Sequence, residues 1–427
     1  MDTLRTYYVS SAKGNDSNLG TTPISPFATL NAINSMKLNP GDRILLECGS
    51  VFENQFLHIK DHGSEELPIT ISKYGEGSLP IINCNGHGVW YQNYGVLLDS
   101  PTHKKEGNIS SAILLWDTSH IIISDLEITN YGNREAEENY SAAHKMDKTG
   151  VAVVAKDKGT LFNINLKNLF IHNIEGNVYN KHMNNGGIYA VAVRPEKEEE
   201  TGIARFNGFV VENCFVYGVS RWGIAIGYTY QHAQFSSTYL EDEWFETYGH
   251  ENIILRNNYV KNAGGDGITS MYVLRPLVEN NTVDYVAVEM NDRIYNEPLD
   301  RSGKVAAGIW PWKCKDSLFR YNMARDTRFN QDGMAFDADS GDGTIYEYNY
   351  SRWNEGGCVM FCLEQSVNNT FRCNTSIEDI SGILSPIENP DAYISNNTFY
   401  KKEQTPLIRP KTQIGNYHME ENTIIVI

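Results

Sequence analysis

No stretch of the 427 residues comes near the roughly 18 consecutive apolar side chains that a membrane-spanning helix needs. Positive charge is also scarce: 36 Lys and Arg stand against 53 Asp and Glu, a net charge of −17. A nucleic-acid binder needs a basic footprint to displace counterions from phosphate, so this balance argues against one. The opening residues, MDTLRTYYVSSAKGNDS, lack the basic-then-apolar order of a secretory leader and read as the start of a mature domain. Cysteines are few, odd in number and irregularly spaced, at Cys48, Cys84, Cys214, Cys314, Cys358, Cys362 and Cys373. That is a poor disulfide framework, and Cys358 and Cys362 lack the second knuckle of a zinc site. Buried free thiols are the expectation, with no metal ligand assigned.

What is present is self-similarity. Segments that begin with glycine and a large apolar residue recur as Gly187-IYAVAV, Gly223-IAIGYTY, Gly267-ITSMYVL, Gly308-IWPWKC, Gly333-MAFDAD, Gly357-CVMFCLE and Gly382-ILSPI. These glycines are 36, 44, 41, 25, 24 and 25 residues apart. A second series carries an asparagine in each copy: Asn213, Asn257, Asn280, Asn322, Asn349, Asn374 and Asn397. Short runs rich in Val, Ile, Tyr and Thr, alternating with period two and repeating near 24 residues, predict an all-β, right-handed parallel β-helix. Coils stacked ~4.8 Å apart close one core that no coil could bury alone. The asparagine fits a turn where its amide bonds the equivalent residue in the coils above and below.

A length that would ordinarily suggest two or three domains thus reads as one elongated domain spanning 1–427. Residues 1–42 form an N-terminal cap with one amphipathic helix (about 26–36), and coils follow over 43–427. Longer gaps near 129–150, 194–207, 228–250 and 286–304 predict loops walling a groove on one face. Alignment on the glycines points Ile224, Ile268, Ile309, Met334 and Cys358 inward. Ala225, Thr269, Trp310, Ala335 and Val359 then form one outward column, and Gly227, Met271, Trp312, Asp337 and Phe361 the next. Exposed Trp310 and Trp312 near carboxylates suggest carbohydrate binding, because sugar rings stack on flat aromatic surfaces.

The densest group of carboxylates is NQDGMAFDADSGDG (330–343). Asp337 and Asp339 share the outer face, ~6.6 Å apart from strand rise alone. Neighbouring carboxylates split their pKa values, which leaves one as acid and one as nucleophile or base, the pair that glycoside hydrolysis requires. Clustered acidic oxygens also allow Ca²⁺ in a uronate lyase, with Lys313 or Arg352 as the cationic partner. The tryptophans and the shortage of basic residues favour a neutral sugar. A passive glycan-binding rod is the reading from another class. Trp222, Tyr228, Tyr272, His182, Lys313 and Glu364 are expected along the same groove, with Asp266 as a turn residue or a sugar contact. Gly86-His87-Gly88, a polygalacturonase-like element, lacks the aspartate-rich coils that should precede it.

The block AAGIWPWKCKDSLFRYNMARDTRFNQDGMAFDADSGDGTIYEYNYSRWNEGGCVMFC (306–362) resembles bacterial β-helix glycosidases and is most similar to glycoside hydrolase family 136. The β-helix likeness covers nearly the whole chain, but only this block is specific. The resemblance implies a retaining lacto-N-biosidase that releases lacto-N-biose from lacto-N-tetraose of human milk, with no catalytic cofactor. A structural Ca²⁺ between coils stays open, as does a route in which the sugar's own N-acetyl group acts as nucleophile. The resemblance also implies catalytic aspartates seven residues apart: Asp332 as acid/base and Asp339 as nucleophile, with Gln331 beside them as a sugar contact. Seven extended residues span ~23 Å, so Asp332 must lie on a segment that folds back, with Gly333 supplying the bend. Otherwise Asp337 is the partner of Asp339. The family's helical N-terminal region has no counterpart in this chain, which implies a separate helical partner subunit. The resemblance further implies action outside the cell or at its surface.

Overall fold

The computed structural model describes residues 4–131, 146–290, 304–329, 331–410 and 413–427. Among these residues, three long sheets of 14, 12 and 11 strands run side by side. Each coil feeds one strand to each sheet, as Leu318–Arg320, Met323–Arg325 and Met334–Asp339 do in a single coil. Neighbouring coils pair in parallel register, for example Val278 with Phe319, Phe319 with Tyr346 and Tyr346 with Phe371. This is a parallel β-helix. The strand Val89–Asn93, which pairs antiparallel with Glu106–Trp116, departs from the pattern.

The sequence explains the coil. Strand runs such as Leu318–Arg320 and Tyr350–Arg352 bury only their middle residue, because successive side chains point to opposite faces. The inward residues Ile188, Ile224, Ile268, Ile309, Phe336 and Val359 line up in one column of a continuous apolar core. Close stacking at one corner needs glycine. A Cβ on Gly223 would lie 2.4 Å from the carbonyl oxygen of Gly267, and one on Gly267 2.4 Å from that of Gly308. Gly308 meets the oxygen of Ala335 at 2.5 Å, not Gly333. The glycine column therefore ends at Gly308, three coils before the alignment expected, while Gly357 stacks on Gly382 one position earlier in the strand.

The asparagine ladder exists, with two of its rungs shifted by one residue. Asn258, Asn281, Asn322, Asn349, Asn374, Asn397 and Asn422 are its members. Each side-chain amide donates to the next side-chain oxygen at 2.9–3.1 Å and to a backbone carbonyl of the coil behind. Asn257 and Asn280, expected in the ladder, hold the left-handed corner just before it at φ 56° and 55°. An Asn-Asn pair supplies both roles, since asparagine tolerates positive φ and the next amide reaches across coils. Asn213 occupies the same corner at φ 55°, and there Cys214 stands at the ladder position, giving only its backbone N–H to Asn258 Oδ1. In later coils Tyr321, Tyr348 and Cys373 take the left-handed corner.

The cap helix is shorter than expected, Leu30–Asn34. Leu30 and Ile33 insert into the end of the core, and the Asn34 side chain ties the helix to the first coils through the N–H of His58 and the carbonyl of Phe56. All seven cysteines are free thiols, but only Cys84, Cys214, Cys314 and Cys358 are buried as expected; Cys48, Cys362 and Cys373 are partly exposed. No helix among the described residues is long and apolar enough to cross a membrane. Of the expected loops, much of 129–150 and of 286–304 lies outside the described residues. The 194–207 loop carries a short helix, Glu198–Thr201, with no buried side chain. The 228–250 loop folds into two helical turns, His232–Phe235 and Asp242–Tyr248, which bury Phe235 and Phe245 on the outer face of the 11-stranded sheet.

Candidate active site

That outer face is a second apolar cluster, distinct from the coil interior. Trp222, Tyr228, Tyr272, Trp310 and Trp312 pack there against Tyr94, Leu98, Phe235 and Phe245 from inserted loops. The expectation of exposed aromatics is corrected: Trp310 is 3% and Trp312 8% exposed, and Trp222, Tyr228 and Tyr272 are fully buried. Outward alternation holds, but the inserted loops roof the face. The expected 228–250 loop supplies Phe235, Leu240 and Phe245, and two further loops that the spacing of the repeats does not mark add Tyr94 and Leu98 (94–105) and Lys181 and His182 (175–185).

Register is the second correction. Ile309 pairs with Phe336 and Trp312 with Asp339, so Trp310 lies opposite Asp337. The glycine alignment placed each tryptophan two residues earlier, opposite Ala335 and Asp337. The cause is Gly333, which is not a member of the stacking corner but a bend with φ +69°. Ala335, Val359 and Phe361, expected outside, lie in the core: Ala335 takes the position stacked on Gly308, and Gly357 pairs with Met334 and not Gly333, a one-residue offset that turns Val359 and Phe361 inward. Met334, expected inward, is buried away from that core, with its sulfur 3.4 Å from Arg409 Nη1.

The Gly333 bend brings Asp332 back over its own strand. Asp332, Asp337 and Asp339 line one narrow recess of about 10 Å³ with Asp266, Lys181 and Trp310. Arg409, buried from a later coil, anchors the returning segment by donating to the carbonyls of Gln331 and Asp332 at 3.0 and 3.1 Å. The Gln331 side chain itself is exposed. Asp266 accepts hydrogen bonds from the Trp310 indole at 3.1 Å and the N–H of Ala307 at 3.0 Å, and lies 3.6 Å from Arg221. It fixes the tryptophan wall and also lines the recess.

The three carboxylates differ in environment. Burial pushes Asp337 well above the usual carboxylate range, and the charges of Asp339 and Asp332 push it further. Its Oδ1 has no hydrogen-bond partner. Asp339 is half-buried and accepts a 2.7 Å hydrogen bond from Ser340 Oγ. Burial raises its pKa, opposed by that hydrogen bond and by the ammonium groups of Lys181 and Lys313. The arrangement favours a protonated Asp337 beside an ionised Asp339.

A raised acid pKa has a signed consequence for stability. Above the ordinary value of 3.8 the unfolded chain releases a proton that folded Asp337 retains, so this group makes stability fall as pH rises toward its folded pKa. Asp337→Asn is expected to flatten that decline, raising the urea midpoint at pH 7 relative to pH 4 when compared with wild type. An identical pH profile in the variant would contradict the burial of a protonated Asp337.

The remaining expected residues divide. Tyr228 donates to Asp99 at 2.9 Å, and Trp312 stacks with Tyr228 and His182 at centroid distances of 5.7 and 5.4 Å. Lys313 Nζ donates to the carbonyl of Phe235 at 3.0 Å, which ties the 228–250 loop to the site. Trp222 donates its indole N–H to the carbonyl of Lys181 and supports the wall from behind. Tyr272 is buried with its hydroxyl unpartnered. Glu364 is exposed on the turn after Gly357–Cys362, outside the recess. Sequence reasoning missed Lys181, whose ammonium sits 5.8 Å from both the Trp310 and Trp312 rings, as well as Arg221, Arg409, Asp99 and His103. They lie on inserts or distant coils and share no repeat position.

No family model matches the chain. It is 40% identical to a lacto-N-biosidase of Bifidobacterium longum subsp. longum over 461 aligned residues, covering 99% of this chain and 29% of that protein. The chain thus spans less than a third of that curated relative. The crystal structure of the GH136 lacto-N-biosidase from Eubacterium ramulus superposes with a TM-score of 0.96 at 55% identity, covering 99% of this chain and 68% of that one. Its selenomethionine derivative matches equally well. With that identity and coverage, and with the carboxylate block 306–362 folded around one recess, the chain belongs to glycoside hydrolase family 136.

Proposed function

We propose that this chain is the catalytic part of a lacto-N-biosidase, cleaving lacto-N-tetraose into lacto-N-biose and lactose with retention of configuration. The supporting observation is the convergence of Asp332, Asp337 and Asp339 on one recess walled by Trp310, in a family 136 chain. Asp339 attacks the anomeric carbon as the nucleophile, and Asp332 gives a proton to the departing glycosidic oxygen. In the second step Asp332 takes a proton from water, which displaces Asp339 and restores both groups. Lys181 and Lys313 keep Asp339 ionised for attack. Protonated Asp337 offers a hydrogen-bond donor to the sugar seated beneath Asp332. No metal takes part in these steps. The helical region implied by the family acts from a separate subunit or from a further part of the same protein.

Incubation with lacto-N-tetraose, alone and after co-expression with such a helical partner, should release lacto-N-biose and lactose. Proton NMR should show the β-anomer first. Absence of cleavage of every type-1 glycan under both conditions would remove this reading. Should Asp332→Asn keep the wild-type rate while Asp337→Asn is inactive, the acid is Asp337.

A further inference from the structure

Beside the carboxylate recess, the inserts 94–105 and 175–185 bring together three groups that the proposed hydrolysis does not use. His103 Nδ1 lies 3.3 Å from Asp99 Oδ1, and His182 Nε2 lies 3.5 Å from the same oxygen. One ligand atom from each of the three falls within 4.8 Å of the others. Neither ring nitrogen of His182 has a hydrogen-bond partner, although its side chain is wholly buried. A buried imidazole with both nitrogens unsatisfied is costly, and here it is aimed at a carboxylate and a second imidazole.

We propose that Asp99, His103 and His182 form a binding site for a divalent transition ion of the zinc class. The spacing supports it. Zinc bonds of roughly 2.0–2.1 Å to nitrogen and oxygen place tetrahedral ligand atoms about 3.3–3.4 Å apart, which matches the two His–Asp separations. Two imidazoles and one carboxylate suit zinc or its transition-metal neighbours, whereas Ca²⁺ requires about six to eight oxygens.

The surroundings also fit. The Tyr228 hydroxyl donates to Asp99 at 2.9 Å and orients the carboxylate, the role an outer-sphere donor plays in metal sites. His182 stacks on Tyr228 at 4.0 Å between centroids, which fixes its plane. Side-chain exposure is 2% at His103, 0% at His182 and 30% at Asp99, so an ion enters past Asp99 and keeps one position open to water. With three protein ligands and one open position, the site has the coordination of an accessible zinc ion, not a closed structural one.

The test uses the untagged full chain after removal of metals by chelator. Zn²⁺ titrated against a chromophoric chelator should bind at one equivalent per chain, and Co²⁺ should give the intense visible bands of four-coordinate cobalt. His182→Ala and Asp99→Asn should each weaken Zn²⁺ binding at least tenfold, while His418→Ala, far along the chain, leaves it unchanged. Asp99→Asn is a conservative change at a partly exposed side chain and preserves the test if His182→Ala fails to fold. Absence of saturable binding, or affinity unaffected by Asp99→Asn, would overturn the proposal.

Discussion

Asp339→Asn is expected to lower kcat on lacto-N-tetraose by at least about 10³-fold while the chain stays folded. That loss corresponds to roughly 4 kcal/mol of transition-state stabilisation, the scale expected when a covalent nucleophile is replaced by an amide of the same shape. The fold should tolerate it. Asparagine keeps the acceptor for Ser340 Oγ, and removing the charge relieves both the burial of Asp339 and its repulsion of Asp337. The thermal midpoint at pH 7 should therefore equal or exceed that of wild type. Released lacto-N-biose measured by chromatography, with circular dichroism on the same sample, separates lost chemistry from lost structure. A variant within tenfold of the wild-type kcat would rule Asp339 out as nucleophile.

The largest effect on stability is expected in the asparagine ladder. Asn349 accepts from the backbone N–H and the side-chain amide of Asn322 at 2.9 and 3.0 Å, and donates to Asn374 Oδ1 and the carbonyl of Phe319 at 3.0 and 2.9 Å. All four bonds are buried. Asn349→Ala removes them together and leaves the Asn322 amide without its acceptor where water cannot replace it. About 1 kcal/mol per bond plus the desolvation of the orphaned groups suggests a loss of about 3–5 kcal/mol. Asn422→Ala, at the end of the ladder and partly exposed, should cost much less because its partners reach solvent. Urea midpoints of the two variants make the comparison. Equal, small losses would show that the ladder is a consequence of coil stacking and not a cause of it.

Much of the architecture is legible in the chain because a solenoid writes its geometry as a period. Gly223, Gly267 and Gly308 recur where coils approach within a Cβ's width, and Asn322, Asn349, Asn374 and Asn397 recur where one amide must bridge its neighbours. The errors arise where one residue type serves two purposes. Gly333 bends the chain at positive φ instead of stacking, which moved the predicted register of Asp337 and Asp339 by two residues. Asn257 and Asn280 turn corners, while Asn258 and Asn281 carry the ladder.

The outward face of the tryptophan and aspartate columns follows from sequence alone, because alternation along a strand is a local property. Burial of that face does not. Trp310 and Trp312 are covered by loops from coils more than seventy residues away, and no local pattern records which loop will fold over which strand. The three aspartates are likewise visible as a motif, but their unequal protonation comes from Lys181, Lys313 and the desolvation that packing imposes. The sequence by itself thus determined the coil, its repeat and the carboxylates available. Tertiary structure alone decided which of them share a recess and which holds a proton, since Coulomb energies and burial depend on distances through space and not along the chain.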